Sequence, residues 1–116
     1  MLIRIDANSS RPLFEQVASS VRADILTGAL APGDRLPSAR DVAEALDINL
    51  HTVLHAYQQL RDEGLVDLRR GRGAVVAASA APLVELAKEV HALAARAAEL
   101  GISQTTLASL VKETIL

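Results

Sequence analysis

Cysteine is absent from the 116-residue chain, and disulfide frameworks, thiolate zinc sites and thiol nucleophiles go with it. Tryptophan is absent too. Phe14 and Tyr57 are the only aromatics, so the core must be aliphatic, built from Leu, Val, Ile and abundant Ala, a composition that favours helices. No apolar run reaches the ~18 residues a membrane span needs, and no charged-then-apolar signal opens the chain. The expectation is a soluble cytoplasmic protein with no membrane partner. Neither GxxxxGKS nor GxGxxG occurs, which removes Gly-rich phosphate loops. A chain this short buries only about two-thirds of its unfolded surface, which disfavours an enzyme with a deep cofactor cleft. No catalytic residue, cofactor or metal is expected.

Basic residues are also few. The chain has 12 against 14 acidic ones, a net charge of −2. Their distribution is uneven: Arg35, Arg40, Arg61, Arg69, Arg70 and Arg72 fall between positions 35 and 73, while both lysines, Lys88 and Lys112, lie in the C-terminal third. Local geometry, not the total, decides whether a polyanion can dock.

Residues 2–6 alternate as a short strand with Ile3 and Ile5 on one face. Pro12 suits a helix start, and Phe14, Val17, Val21 and Ile25 recur at helical spacing before Gly28, which predicts a first helix over 12–27. After a Pro32-Gly33 turn, Ser38-Ala39-Arg40-Asp41 fits a capping box in which Ser hydroxyl and Asp carboxylate satisfy backbone N–H groups reciprocally. Val42, Ala43 and Leu46 carry that short helix to 46. Asn49 caps a third helix with Val53, Ala56, Tyr57 and Leu60 on one side, ended by Gly64. Strands over 65–70 and 74–77 flank Gly71-Arg72-Gly73 as a hairpin.

Ser79 to Pro82 read as a small-residue linker. Beyond it Leu83, Leu86, Val90, Leu93, Ala97 and Leu100 repeat every three or four residues, a heptad seam in one helix over 82–100. Gly101 stops it and Ser103 caps a last helix, in which Leu107, Leu110, Val111, Thr114 and Ile115 extend the apolar stripe. The fold class is mainly α with a small β-hairpin: a winged helix-turn-helix over 1–77 and a two-helix dimerisation segment over 78–116.

At ~100° per residue, with Val53 at 0°, His51, Gln58 and His55 fall at about 160°, 140° and 200°, opposite the core side. A helical face of hydrogen-bonding side chains, free of carboxylates in its first two turns, can enter a major groove and read base edges. Taken alone such a face is an ordinary solvated one, and the Arg69–Gly73 hairpin an ordinary charged turn. Their conjunction at the spacing of one fold is what points to nucleic acid. His51 and His55 also match metal-ligand spacing at i, i+4, yet no acidic or thiol third ligand lies in the motif.

Pro12-Leu13-Phe14-Glu15-Gln16, the stretch from Gly28 to Arg40, Asn49-x-x-Thr52-Val53 with Ala56-Tyr57 and Leu60, Glu63-Gly64-Leu65 and Gly71-Arg72-Gly73 together resemble the DNA-binding domain of GntR-family bacterial transcription regulators, over about 12–76. The short helical tail resembles the YtrA subfamily, whose two C-terminal helices dimerise. The resemblance implies that Arg35 and Arg40 contact phosphates and bases, and that Ser38 and Thr52 place hydroxyls at phosphates. It puts Asn49, His51 and His55 at recognition-helix positions and Arg70, Gly71, Arg72 and Gly73 at a wing tip that reaches the minor groove. Leu50 and Leu54 depart from it, standing where many relatives carry proline, small or basic residues, and so does His55, at a position that often carries arginine.

The implied partners are double-stranded DNA and a second copy of the chain, paired through Leu83, Leu86, Val90, Leu93, Ala97, Leu100, Leu107, Leu110 and Val111, with an effector unknown. Protonation of His51 and His55 would add charge facing phosphates, so affinity is expected to rise on acidification. Two other readings stand beside this one: the winged domain docks on a protein, or the seam folds back on its own domain. A third, the N-terminal piece of a regulator with an aminotransferase-like domain, is disfavoured by Met1 and by the amphipathic finish at Leu116.

Overall fold

Three helices and a hairpin form the N-terminal part of the protein in a computed structural model that describes residues 2–114. They are α1 (Leu13–Leu26), α2 (Ala39–Leu46), α3 (Leu50–Asp62), β1 (Val66–Arg69) and β2 (Gly73–Val76); α4 (Ala80–Glu99) and α5 (Gln104–Thr114) follow. Contacts divide the chain into two compact units, Met1–Val84 and Glu85–Leu116, and α4 begins in the first and continues in the second. Ile115 and Leu116, assigned above to the end of the last helix, lie outside the described residues.

The first unit is held by an aliphatic core. Val17, Val21 and Ile25 of α1 and Val53 and Leu60 of α3 are fully buried, with Ala18, Ala43 and Ala56 letting the helices approach closely. The turn between α2 and α3 is three residues long. Asp47 adopts a left-handed conformation (φ 54°), and its N–H and that of Ile48 donate back to the carbonyls of Glu44 and Ala43 (3.3 and 3.0 Å), closing α2. Asn49 then caps α3. Gly64 (φ +82°) closes α3 in the same way, with Leu65 N–H on the Leu60 carbonyl at 3.0 Å.

The hairpin is antiparallel, with Val66 opposite Val76 and Arg69 opposite Gly73. A third segment joins it, which the sequence reading missed. Residues 33–36 run along the outer edge of β2: Gly33 N–H donates to the Val76 carbonyl, Val76 N–H to the Asp34 carbonyl and Leu36 N–H to the Ala74 carbonyl, at 2.9, 2.8 and 2.9 Å. The loop before α2 is thereby fixed to the hairpin.

Three local expectations need correction. Residues 2–6 are not a strand. Ile3 is buried, as the alternation required, but the backbone bonds to side chains of α1: Arg4 N–H donates to Ser20 Oγ (3.0 Å) and Asp6 N–H to Gln16 Oε1 (2.6 Å). Gln16, buried, completes the clamp by donating Nε2–H to the Arg11 carbonyl at 2.9 Å. The capping box is half formed: Ser38 Oγ accepts from Asp41 N–H (3.0 Å), and among the described residues the Asp41 carboxylate makes no return bond. Finally, 79–82 is not a spacer. Ser79 Oγ–H donates to the Gly64 carbonyl (2.7 Å), Ala80 is fully buried against the core, and α4 starts there with Pro82 in its first turn, where a missing N–H costs nothing.

In the second unit, Gly101 (φ +75°) ends α4, Ile102 N–H donates to the Ala97 carbonyl (2.9 Å), and Ser103 Oγ accepts from Thr106 N–H (3.1 Å) to start α5. No residue of α5 is buried within the chain. No helix among the described residues is long and apolar enough to cross a membrane.

Candidate nucleic-acid interface

The N-cap of α3 is Asn49, whose Oδ1 accepts from His51 N–H at 2.8 Å, leaving its amide N–H groups free to donate outward. Burial of Val53, Ala56, Tyr57 and Leu60 turns His51, Leu54, His55 and Gln58 to the outside; Thr52 is half-buried. The first turn has no acidic residue. The carboxylates at the far end are engaged, Asp62 with Arg61 (3.2 Å) and Glu63 with Arg22.

Two side chains differ from a simple outward-facing reader. The His55 ring stacks on Phe14 of α1, centroids 3.9 Å apart and planes 16° from parallel, so α1 fixes its orientation. Leu50, one of the departures from the family pattern, is half-buried against the core and off the exposed face; Leu54 is on it.

A half-buried bond ties the segment leading into α2 to α3. Tyr57 O–H donates to the Pro37 carbonyl at 2.7 Å, and burial pushes the phenol pKa up, so it stays a donor across the physiological range. This anchors the turn that delivers Ser38 and Arg40. Ser38 Oγ accepts from Asp41 N–H while its own proton remains available to a phosphate oxygen. On the opposite side Arg22 and Glu63 form a bidentate pair (2.7 and 2.6 Å) joining α1 to the end of α3. Their shared hydrogen bonds hold the Glu63 carboxyl below and the Arg22 guanidinium above their usual values, against the opposing effect of burial.

The third component is the hairpin tip. Arg70, Gly71 and Arg72 are exposed between the strands, with Gly71 and Gly73 at φ +82° and +71°, values that a Cβ would strain. Arg35 sits on the segment paired to β2. Among the described residues Arg35, Arg40, Arg70 and Arg72 have no carboxylate partner, whereas Arg69 pairs with Asp67 at 3.4 Å. The first unit thus holds an exposed helix face without a carboxylate in its first turn, and four guanidinium groups without a carboxylate partner among the described residues.

A family model described as bacterial regulatory proteins, gntR family, matches residues 13–76 of this chain, the span that holds α1 through the hairpin. The chain belongs to the gntR family. Within it, the chain is 39% identical over 79 residues to the HTH-type transcriptional repressor YtrA of Bacillus subtilis, a match covering 68% of this chain and 61% of that one. Two other curated relatives are covered over 55% and 64% of their length, so the chain spans roughly three-fifths of these three relatives. Among solved structures it is similar to YtrA from Sulfolobus acidocaldarius, a GntR-family transcription factor (36% identity, 81% of this chain and 99% of that one, TM-score 0.63). It is also similar to a GntR family transcriptional regulator from Listeria monocytogenes (26%, 94% and 98%, TM-score 0.64). The gntR-family winged helix is therefore the fold of the first unit, and the likeness is to the YtrA-type members.

In the second unit the helices leave large apolar side chains in water. Leu86, Val90, Leu93, Leu100, Leu110 and Val111 are all exposed, Leu100 at 66%. The other three seam positions differ: Leu83 packs on the core of the first unit, Ala97 is buried and Leu107 is half-buried. Sequence reading also missed Tyr57 as the residue that positions α2, because a helical pattern marks it only as core and its hydroxyl partner lies twenty residues away.

Proposed function

We propose that this gntR-family chain is a homodimeric, sequence-specific DNA-binding repressor of transcription, acting on a near-palindromic operator. The observation that carries the reading is an exposed α3 face bearing His51 and Gln58, in the same compact unit as Arg35, Arg40, Arg70 and Arg72, which are exposed and have no carboxylate partner among the described residues. α3 enters the major groove. There Asn49, His51, Thr52 and Gln58 supply donors and acceptors to base edges and adjacent phosphates, with His55 held at the groove margin by Phe14. Ser38 and Arg40 meet the phosphate backbone, and Arg70 to Gly73 reach the neighbouring minor groove. The arginines supply affinity by counterion release and the helix supplies sequence choice.

One such unit neutralises few phosphates, so two are needed. The exposed stripe of Leu86, Val90, Leu93, Leu100, Leu110 and Val111 is the surface on which a second copy docks, since monomers rarely leave a contiguous apolar face in water. Half-sites then lie one helical turn apart, roughly 34 Å centre to centre. Repression is the role carried by the name of the Bacillus subtilis relative. An electrophoretic shift on a palindromic probe tests the reading: the wild-type chain retards the probe, and Arg40→Ala combined with Arg72→Ala moves the shift to much higher protein concentration. Retardation of no duplex at low salt would defeat it.

A further inference from the structure

Leu54 and Leu68 stand exposed at 37% and 41% on the side of the first unit where α3 faces the hairpin. They line one shallow crevice of about 360 Å³, floored by Tyr57 and Ala74 and rimmed by Arg69 and Arg70. Leu54 lies only about 40° around α3 from Gln58, so the apolar crevice continues the polar reading face. Of the bordering arginines, Arg69 pairs with Asp67 while Arg70 has no carboxylate partner among the described residues; the Arg70 charge favours a polyanion, whereas the apolar atoms gain nothing from phosphate or from most base edges. In the major groove each base edge presents donors and acceptors, and the one apolar group is the 5-methyl of thymine.

We infer that Leu54, backed by Leu68, reads a thymine 5-methyl group in each operator half-site. The inference rests on the proposal that the α3 face docks in DNA, and it names what that face selects. The methyl enters the mouth of the crevice, displacing water from both leucines, while Arg70 on the crevice rim runs on into the hairpin tip that reaches the neighbouring minor groove. The leucine at position 54 is then a specificity determinant: it rejects cytosine and purines at one position, where they would set polar edges against an apolar wall.

The test starts with the full chain and a site enriched from a random duplex pool. That site is resynthesised with deoxyuridine replacing every thymidine, which deletes the methyls and keeps every Watson–Crick partner. Wild-type affinity should fall about fourfold per methyl, roughly fifteenfold for two half-sites. Leu54→Ala should bind the thymidine duplex below the wild-type level with a reduced deoxyuridine penalty, and Leu54→Gln, which sets a polar group against the methyl, should reduce that penalty further. Replacing thymidines one at a time should place the loss at a single position per half-site. Equal wild-type binding to both duplexes overturns the inference, as does an undiminished deoxyuridine penalty in Leu54→Ala. Enrichment of no duplex at all is a separate result: it overturns the DNA-binding reading itself and takes this inference with it.

Discussion

Removing Arg40 and Arg72 together should change how DNA affinity responds to salt, by an amount the structure sets in advance. Four arginines per chain, Arg35, Arg40, Arg70 and Arg72, have no carboxylate partner among the described residues, and a dimer brings eight. Each phosphate neutralised on duplex DNA adds ~0.9 to the slope of log affinity against log salt, which gives a slope of about −7 from these side chains alone. Affinity should therefore fall about 10⁴-fold between 50 and 200 mM salt. The double variant deletes four of the eight contacts, so its slope should drop to about −3.6 and the same salt change should cost only about 10²-fold. Fluorescence anisotropy on a labelled operator across a salt series reads both slopes. Arg61→Ala is the control: Arg61 pairs with Asp62 at the far end of α3 and should leave the slope unaltered. An unchanged slope in the double variant, or an equal change in Arg61→Ala, would refute the placement of the phosphate contacts.

Three further outcomes follow from the same geometry. Leu93→Asp puts a charge in the middle of the exposed stripe and should give monomers in sedimentation velocity with most operator affinity lost; a surviving dimer would move the interface elsewhere. Tyr57→Phe leaves the half-buried Pro37 carbonyl without its donor and should cost about 1 kcal/mol, seen as a fall of about 5 °C in melting temperature. Arg22→Gln breaks the bidentate pair, which is partly open to solvent and worth at most about 1 kcal/mol near neutral pH. Because the folded Glu63 pKa lies below its unfolded value, that contribution is complete above the ordinary carboxylate range and disappears as pH falls through the lowered value. Denaturant titrations of the two proteins should converge under acid conditions, and a gap that persists there would contradict the assignment.

The parts of the molecule that were legible in the residues are those where one local rule acts. Asn49 caps α3, Gly64 stops it, and the 3.6-residue pattern of Val53, Ala56, Tyr57 and Leu60 orients it, so His51 and Gln58 could be placed outside before any coordinates. What was not legible depends on long-range partners. The alternation of Ile3 and Ile5 is the same for a strand as for an extended segment clamped by Gln16 and Ser20, because periodicity reports which side is buried and not what accepts the backbone bonds. Ala80 reads as linker material by its size, yet small residues also fill tight contacts, which is its role here. The stacking of His55 on Phe14 and the pairing of residues 33–36 with β2 join positions that no local pattern links.

Amide hydrogen exchange of the full chain with and without its enriched operator tests most directly whether the α3 face and the hairpin tip meet DNA. Protection on binding should concentrate at residues 49–58 and 70–73 and at Arg35 to Arg40, leaving the N-terminal segment and the exterior of α1 unchanged. Protection confined to those last two regions, with α3 exchanging as in the free protein, would contradict the account.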